Sequence, residues 1–391
     1  MKRAVIAPPA TLALLGGGQL GRFFIQAAHE LGYRVIVLDP DPDAPAGKLA
    51  DGHIVANYDN QAALSQLTQQ CAAATTEFEN VPAAVLAQLA QTMPVSPSAE
   101  AVSIAQDRIR EKNFLKDHGF STAPFIAVEN EADLDNASDH LFPAILKTAR
   151  FGYDGKGQAR VNSIDEAKAA QRDFNTPCVL EKMMPLNLEV SVVLARSADG
   201  ECRCFPLAEN GHRNGVLDIT IVPARTTLAL QQQAEEIASE LASQLDYIGV
   251  LTVEFFISDG QLLINEIAPR PHNSGHYTID SNITSQYEQQ LRALCHLPLG
   301  SAQSHSSSVM VNLLGDLWYP LGTHHSIEPE WTVLHKIPNL KLHLYGKTVP
   351  RQGRKMGHFT ILDDDIDTAI TTAMAARKAI GILDSSEKII P

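Results

Sequence analysis

The chain has 391 residues, a length that suits two or three domains, and its 45% hydrophobic and 19% charged content supplies enough apolar mass for sizeable cores. Asp and Glu number 45 against 31 Lys and Arg, a formal net charge of −14. That balance excludes a general nucleic-acid surface, which needs basic excess to displace counterions from phosphate, but leaves room for a small anionic substrate held by a local cluster of cations. The cysteines, Cys71, Cys178, Cys202, Cys204 and Cys295, are odd in number and scattered, so they do not form a disulfide framework, and Cys202 and Cys204 have no second pair at zinc spacing. No apolar run reaches about 18 residues and no signal-peptide core opens the chain, so a reduced cytoplasmic setting and no membrane partner are expected.

Thr11–Leu15 reads as a short buried strand, residues 16–21 (GGGQLG) as a tight turn, residues 23–31 as a helix, and Arg34–Leu38 as a second strand ending at Asp39. Such a unit is parallel and right-handed. Residues 64–71 and 83–91 continue the alternation as helices, and a first domain closes near Ala105. Residues 144–147 and Cys178–Lys182 are strands enclosing the glycine-rich segment Gly152-Tyr153-Asp154-Gly155-Lys156-Gly157. Residues 188–195 and 202–207 alternate as strands, and residues 228–245 carry Ile237, Leu241 and Leu245 at helical spacing. Residues 250–257 and 262–267 are strands joined through Ser258-Asp259-Gly260, a hairpin signal. Residues 309–314, 341–345 and 356–362 predict a small terminal β domain, followed by a helix over residues 367–380. The domains expected are residues 1–105, 106–300 and 301–391, an α/β chain overall.

Gly16-x-Gly18-x-x-Gly21 follows a strand and opens a helix, and Asp39 ends the next strand where a ribose-binding acid belongs in a dinucleotide fold. Three readings are open at this point: NAD, another phosphate at the helix N-terminus, or a turn that merely packs well.

A second nucleotide signal lies further on. Gly152–Gly157 follows a strand containing Lys147; its glycines make a loop able to fold over phosphates, and Lys156 adds charge, although the GxxxxGK[ST] spacing is absent. A plain surface hairpin would look similar. Glu254 and Glu266 sit on the two arms of the predicted hairpin. A three-residue loop, Ser258 to Gly260, gives them one sheet face, with Glu254 opposite Ile264 and Glu266 opposite Thr252, diagonal neighbours about 7–8 Å apart. Two acids in an apolar hairpin are costly without a cation, and Mg²⁺ takes carboxylate oxygens together with nucleotide phosphates; exposed edge carboxylates are the plainer alternative. The strand end at Glu181, Lys182, Met183 and Met184 can offer backbone groups to an adenine edge, and Glu189 can accept from ribose hydroxyls.

Lys147, GYDGKGQ, the EK–Glu189 segment and the Glu254/Glu266 pair occur in the order seen in ATP-grasp enzymes. More specifically, GGGQLGR at residues 16–22, FEN at 78–80, AQDR at 105–108, NEIAPRPHNSGH at 265–276 and GRKMGH at 353–358 resemble the N5-carboxyaminoimidazole ribonucleotide synthetases, over residues 12–362. The resemblance implies an ATP-grasp fold: a Rossmann-like parallel-sheet domain, a central ATP-grasp lid and a small C-terminal β domain. It implies a homodimeric ligase that uses ATP and bicarbonate to carboxylate the exocyclic amine of 5-aminoimidazole ribonucleotide. Carried onto matching positions, the ATP contacts are Arg108, Lys147, Gly152, Tyr153, Asp154, Gly155, Lys156, Gly157, Gln158, Glu181, Lys182, Met183, Met184, Glu189, His212, Asn265 and Glu266, with Glu254 and Glu266 on one or two Mg²⁺. Two positions depart or discriminate. Phe151-Gly152 stands where relatives often carry Gly-Gly before the loop tyrosine. Ala268 stands where many other ATP-grasp carboxylases carry Asn, which favours this family over a formate-using glycinamide ribonucleotide transformylase. An NAD dehydrogenase and a non-catalytic nucleotide-binding regulator are the readings from other classes.

Bicarbonate is a poor electrophile, and attack of its oxygen on the γ-phosphate gives carboxyphosphate; positioning and charge neutralisation are most of what that step asks. Arg270, His272 and Asn273 follow Glu266 closely and can bind bicarbonate or carboxyphosphate, Arg as a fork matched to an oxyanion. Asp154 is a candidate for orienting the aminoimidazole. Lys347, Arg354 and Lys355 on a predicted hairpin suit the substrate's 5′-phosphate, with Gln19 and Leu20 adding groups from the helix N-terminus and Glu79 reaching the ribose or base.

Overall fold

The structure, a computed structural model, describes residues 4–152, 156–320, 323 and 325–382. Its N-terminal sheet is parallel, with β1 (Thr11–Leu15), β2 (Arg34–Leu38), β3 (Gly52–Ile54), β4 (Ala73–Thr76) and β5 (Val95–Ser96) in the order β3-β2-β1-β4-β5. Strands buried on both faces read as continuous apolar runs, and β1 does so: Leu12 and Leu14 pack with Phe23 and Phe24, while Ala13 and Leu15 pack with Leu64, Leu67 and Leu86. Helices α1 (Gln19–Glu30), α2 (Gln61–Gln70), α3 (Ala83–Leu89), α4 (Ala99–Ala105) and α5 (Arg108–Asp117) complete this part. Asn60, Ser98 and Asp107 accept from the first-turn amides of α2, α4 and α5, which fixes where each begins.

A four-stranded antiparallel sheet follows, β6 (Phe125–Val128), β7 (Ala144–Thr148), β8 (Gln158–Val161) and β9 (Cys178–Lys182), in the order β6-β9-β7-β8. It packs on α6 (Ile164–Phe174) through Ala167 with Leu146, Val161 and Leu180. The largest sheet is assembled from β10 (Leu188–Arg196), β11 (Cys202–Cys204), β12 (Ala208–Arg213), β13 (Val216–Val222), β14 (Gly249–Ser258), β15 (Gln261–Ala268), β16 (Ser307–Leu314), β17 (Leu340–Leu344) and β18 (Lys355–Asp363). Their order is β15-β14-β10-β12-β13-β16-β18-β17, with β11 paired to β10. Helix α7 (Leu228–Gln244) lays Ala234, Ala238 and Leu241 on Val192, Leu194, Leu251 and Val253. The C-terminal β region is present, and its strands continue the central sheet through the antiparallel β13–β16 ladder.

The β14–β15 hairpin departs from expectation twice, and the two departures cancel. Ser258 pairs with Gln261, so the loop is the two residues Asp259-Gly260, whose φ of 50° and 75° are those of the turn that Asp-Gly favours. A two-residue loop alone would place Glu254 and Glu266 on opposite faces. However, Phe255 pairs with Ile264 and Glu254 with Glu266, which leaves Asn265 as the extra residue of a β-bulge. The bulge restores the shared face, and the carboxylates are direct rather than diagonal neighbours.

Candidate active site

Glu254 and Glu266 therefore face each other across a buried ladder. Burial and the opposing Glu266 push the Glu254 carboxyl up to about 7. Burial acts on Glu266 in the same sense, but Arg108 and then Lys147 hold it below the usual carboxylate range. Arg108, the first residue of α5, donates from Nη1 to Glu266 Oε2 at 2.8 Å and from Nη2 to the Gly152 carbonyl at 3.2 Å. His272 Nε2 lies 3.3 Å from Glu254 Oε1, and burial followed by the Arg270 charge pushes its pKa well below the usual histidine value, so the ring is a neutral imidazole.

Two cavities meet at this pair. One, of about 550 Å³, is lined by Lys147, Gln158, Glu189, Phe256 and Asn265; the other, of about 170 Å³, by Glu79, Arg270, His272, Asn273 and Lys355. Arg108, His212, Glu254 and Glu266 line both. In the first, Lys147 Nζ donates to Glu181 Oε2 at 2.7 Å, and Lys112 lies 3.3 Å from the other Glu181 oxygen. Burial opposes ionisation of Glu181, yet Lys147 and Lys112 keep its carboxyl below the ordinary range. His212 Nδ1 lies 2.8 Å from Glu189 Oε2. In the second, Arg270 Nε donates to Glu79, and Asn273 is buried with neither amide atom hydrogen-bonded among the described residues. A buried amide without partners is costly, and a ligand that bonds it removes the cost.

Three family models cover most of the chain: a ribonucleotide synthetase preATP-grasp domain at residues 10–106, an ATP-grasp domain at 113–287 and a phosphoribosylaminoimidazole carboxylase C-terminal domain at 308–372. An N5-carboxyaminoimidazole ribonucleotide synthase of Brucella melitensis is 43% identical over 365 residues, 92% of this chain and 98% of that protein. The chain belongs to this family. It is an ATP-grasp ligase. A solved ADP complex of an N5-carboxyaminoimidazole ribonucleotide synthetase superposes with a TM-score of 0.89 at 41% identity, covering 96% of this chain and 98% of that one. The Aspergillus clavatus synthase solved with ADP and 5-aminoimidazole ribonucleotide superposes with a TM-score of 0.86 at 29% identity, covering 96% and 99%.

Within the family frame the remaining predicted residues sort as follows. Gly157 has φ of 70°, and a Cβ there would lie 2.5 Å from Thr148 Oγ1, so glycine is required at the start of β8. Phe151, where relatives often carry glycine, adopts φ of 60° with an exposed ring. Tyr153, Asp154 and Gly155 lie outside the described residues. Lys156 lines a separate cavity with Asn312 and Asp316 rather than the Lys147 cleft. Lys182 ends β9 and Met183 and Met184 follow it, all outside that cleft's lining, and the amides of Lys182 and Met183 donate to the carbonyls of Pro124 and Pro143. Lys347 Nζ donates to Gln19 Oε1 at 2.8 Å, so the basic loop does reach the start of α1 across 328 residues. Lys355 lines the Arg270 cavity; Arg354 donates to the Val349 carbonyl at 2.6 Å.

The α1 N-terminus is not an open phosphate cradle. Glu77 accepts from the amides of Gly18 at 2.7 Å and Gly21 at 2.9 Å, and Asp39 accepts from Gly17, Asp41 and Tyr58. The chain's own carboxylates thus fill the positions that a dinucleotide would need, and a Cβ on Gly16 or Gly18 would lie 2.7 or 2.6 Å from Glu77. The Leu20 side chain is core, packed with Phe23 and Phe24, which leaves only its backbone for a substrate. Sequence reasoning missed Glu77, Glu111 and Lys112; the signal for Glu77 was its place directly before FEN. Asp280, His343 and His358 bring donor atoms within 4.8 Å of one another, but the two imidazoles stack at 4.6 Å with planes 22° apart, so their in-plane lone pairs run side by side instead of converging on an ion.

Proposed function

We propose that this ligase uses ATP and bicarbonate to carboxylate the exocyclic amine of 5-aminoimidazole ribonucleotide, giving N5-carboxyaminoimidazole ribonucleotide in purine synthesis. The observation that carries the reading is the common wall of the two cavities: Arg108, Glu254 and Glu266 border both, so a γ-phosphate from the larger reaches an acceptor in the smaller. Mg²⁺ fits the glutamate pair. Two half-buried carboxylates oppose each other, Glu254 is pushed up to about 7, and Asn265 Oδ1 beside them is buried without a partner among the described residues; a hard cation with oxygen ligands answers each. When bound it supplies charge neutralisation to the β- and γ-phosphates.

The chain's own groups do the rest. Lys147, held by Glu181, presents its ammonium to the phosphates. Glu189 accepts from the ribose hydroxyls with His212 beside it. Arg270 and the neutral His272 orient bicarbonate for attack on the γ-phosphorus, which forms the O–P bond of carboxyphosphate as ADP leaves. The amine lone pair then takes the carboxyl carbon and phosphate departs; Asn273, with a free donor and acceptor, positions the aminoimidazole, as does Asp154. Lys347, Gln19, Lys355 and Arg354 hold the 5′-phosphate, with Glu79 nearer the ribose and base. Lys147, Gln158 and Arg160 place the β6–β9 sheet along one side of the cleft, where it excludes water from a hydrolysable intermediate. The reading includes a cytoplasmic homodimer without nucleic acid or membrane partners; among the described residues no helix is long and apolar enough to cross a membrane.

The test is ADP release with bicarbonate, with and without 5-aminoimidazole ribonucleotide. Strong stimulation by the ribonucleotide is expected. Equal turnover with formate and glycinamide ribonucleotide would overturn the assignment.

A further inference from the structure

We infer that Glu111 and Lys112, consecutive residues of α5, are positioning residues that clamp the β-bulge turning Glu266 toward Glu254. The inference rests on the metal role proposed for those two glutamates.

β15 is the edge of its sheet, so among the described residues its outward backbone groups have no strand partner beyond an isolated parallel bridge from Ile264 to Thr122. Three of them around the bulge are bonded from outside the sheet. Ile264 N donates to the Ser121 carbonyl at 2.8 Å, the Asn265 carbonyl accepts from Lys112 Nζ at 2.8 Å, and Ile267 N donates to Glu111 Oε1 at 2.6 Å. The two side-chain bonds fall on the residues immediately before and after Glu266. A bulge interrupts the ladder where it stands, and a one-residue slip sends every side chain beyond it to the other face. Main-chain anchors on both flanks remove that freedom, while Arg108 separately holds the Glu266 carboxylate.

Packing alone gives no reason for these residue types. Glu111 is 2% and Lys112 1% exposed, and a buried acid and ammonium are costly where apolar side chains would fill the same space. Their polar atoms are spent on the two backbone groups that set the direction of Glu266. Lys112 also contacts Glu181, which grips Lys147, so the same clamp ties the metal-ligating strand to the phosphate-binding lysine. For that reason Glu111 is the cleaner residue to vary.

The experiment titrates Mg²⁺ into the full-length protein at saturating ADP, with ADP affinity in EDTA measured in parallel. Loss of a group that orients a metal ligand commonly weakens metal binding about 10–100-fold. Glu111→Ala is expected to raise the half-saturating Mg²⁺ by that factor and to leave metal-free ADP binding unchanged. Glu111→Gln, whose amide oxygen can still accept from Ile267, is expected to restore it. Wild-type Mg²⁺ dependence in Glu111→Ala, or Glu111→Gln as impaired as Glu111→Ala, overturns the clamp. If Glu111→Ala melts below the assay temperature, Glu111→Asp, which withdraws the acceptor by one methylene, is read in the same way. Glu266→Gln separates the two ideas: if it keeps wild-type Mg²⁺ dependence, the metal reading fails and the clamp with it; if it loses that dependence while Glu111→Ala does not, only the clamp fails.

Discussion

Glu254 and Glu266 are held in opposite electrostatic states, the first pushed up by its neighbour and the second pulled down by Arg108 and Lys147. A cation between them removes the conflict, so both should matter most when charge moves. Glu254→Gln and Glu266→Gln are each expected to lower turnover by at least ~100-fold, the scale of losing a preorganised electrostatic group. Near-wild-type turnover of both at saturating Mg²⁺ would reject the role. Lys347 bridges Gln19 and the Lys355 carbonyl, which fixes its ammonium where the loop after β17 meets α1. Lys347→Ala should remove a charge-assisted bond worth roughly 1.5–3 kcal/mol, hence raise the 5-aminoimidazole ribonucleotide KM about 10–150-fold with little change for ATP. Arg354→Ala is expected to act in the same direction. Steady-state kinetics with each substrate varied in turn decides this: a rise confined to ATP would move the basic loop to the nucleotide site.

At the scale of elements, the glycine turn before α1 is built around an internal carboxylate. Gly18 has no side chain to cap the helix, and Glu77, directly after β4, supplies the acceptor for the N-cap amide of Gly18 and the first-turn amide of Gly21. Burial nevertheless raises the Glu77 carboxyl above its ordinary pKa. Glu77→Ala leaves those amides without partners in a part-buried setting, and a loss of about 1–3 kcal/mol is expected in urea unfolding. A change below ~0.5 kcal/mol, the level of an ordinary surface substitution, would mean that water replaces the carboxylate. The helix begins at Gln19, four residues before the sequence pattern suggests, for the same reason: the glycines read as a turn until a distant acid caps them.

Across the molecule, the C-terminal helix Ile366–Ala379 is fastened to β13 by Arg377 and Asp218, 2.8 Å apart with side chains 0% and 1% exposed. Removing one partner of such a pair strands the other charge, which costs about 3–5 kcal/mol, whereas exchanging both for apolar residues of similar volume is often neutral. Asp218→Leu and Arg377→Met should each lower the urea midpoint strongly, and the double variant Asp218→Leu/Arg377→Met should recover most of the loss. If the double variant is as unstable as the sum of the single ones, the pair is not the fastening. The aromatic and histidine core formed by Phe23, His276, Tyr287, Tyr345 and His358 joins α1 to β18 in the same spirit, since its members come from both ends of the chain.

Local chemistry was enough for the sequence to determine the strands and helices with strong apolar patterns, though not weaker ones such as β4, β13 and α6. Apolar runs such as TLALL and RVIVL bury on both faces wherever they go, and Thr11–Leu15 and Arg34–Leu38 needed no partner to be recognised. The candidate residues Lys147, Glu254 and Glu266 stood out for a related reason: each is a charged residue within a largely apolar strand. The tertiary structure alone decided what depends on where an element ends up. Asp-Gly dictates a two-residue loop, yet the hairpin's register turns on a bulge at Asn265, and the side chains bonded around it come from a helix more than 140 residues earlier. Glu77 and Asp39 were similarly opaque, because an acid at a strand end looks the same whether it awaits a ligand or caps its own chain; only the fold shows which amides it meets. Register and capping across a fold are sums over contacts distant in sequence, and no local pattern carries them.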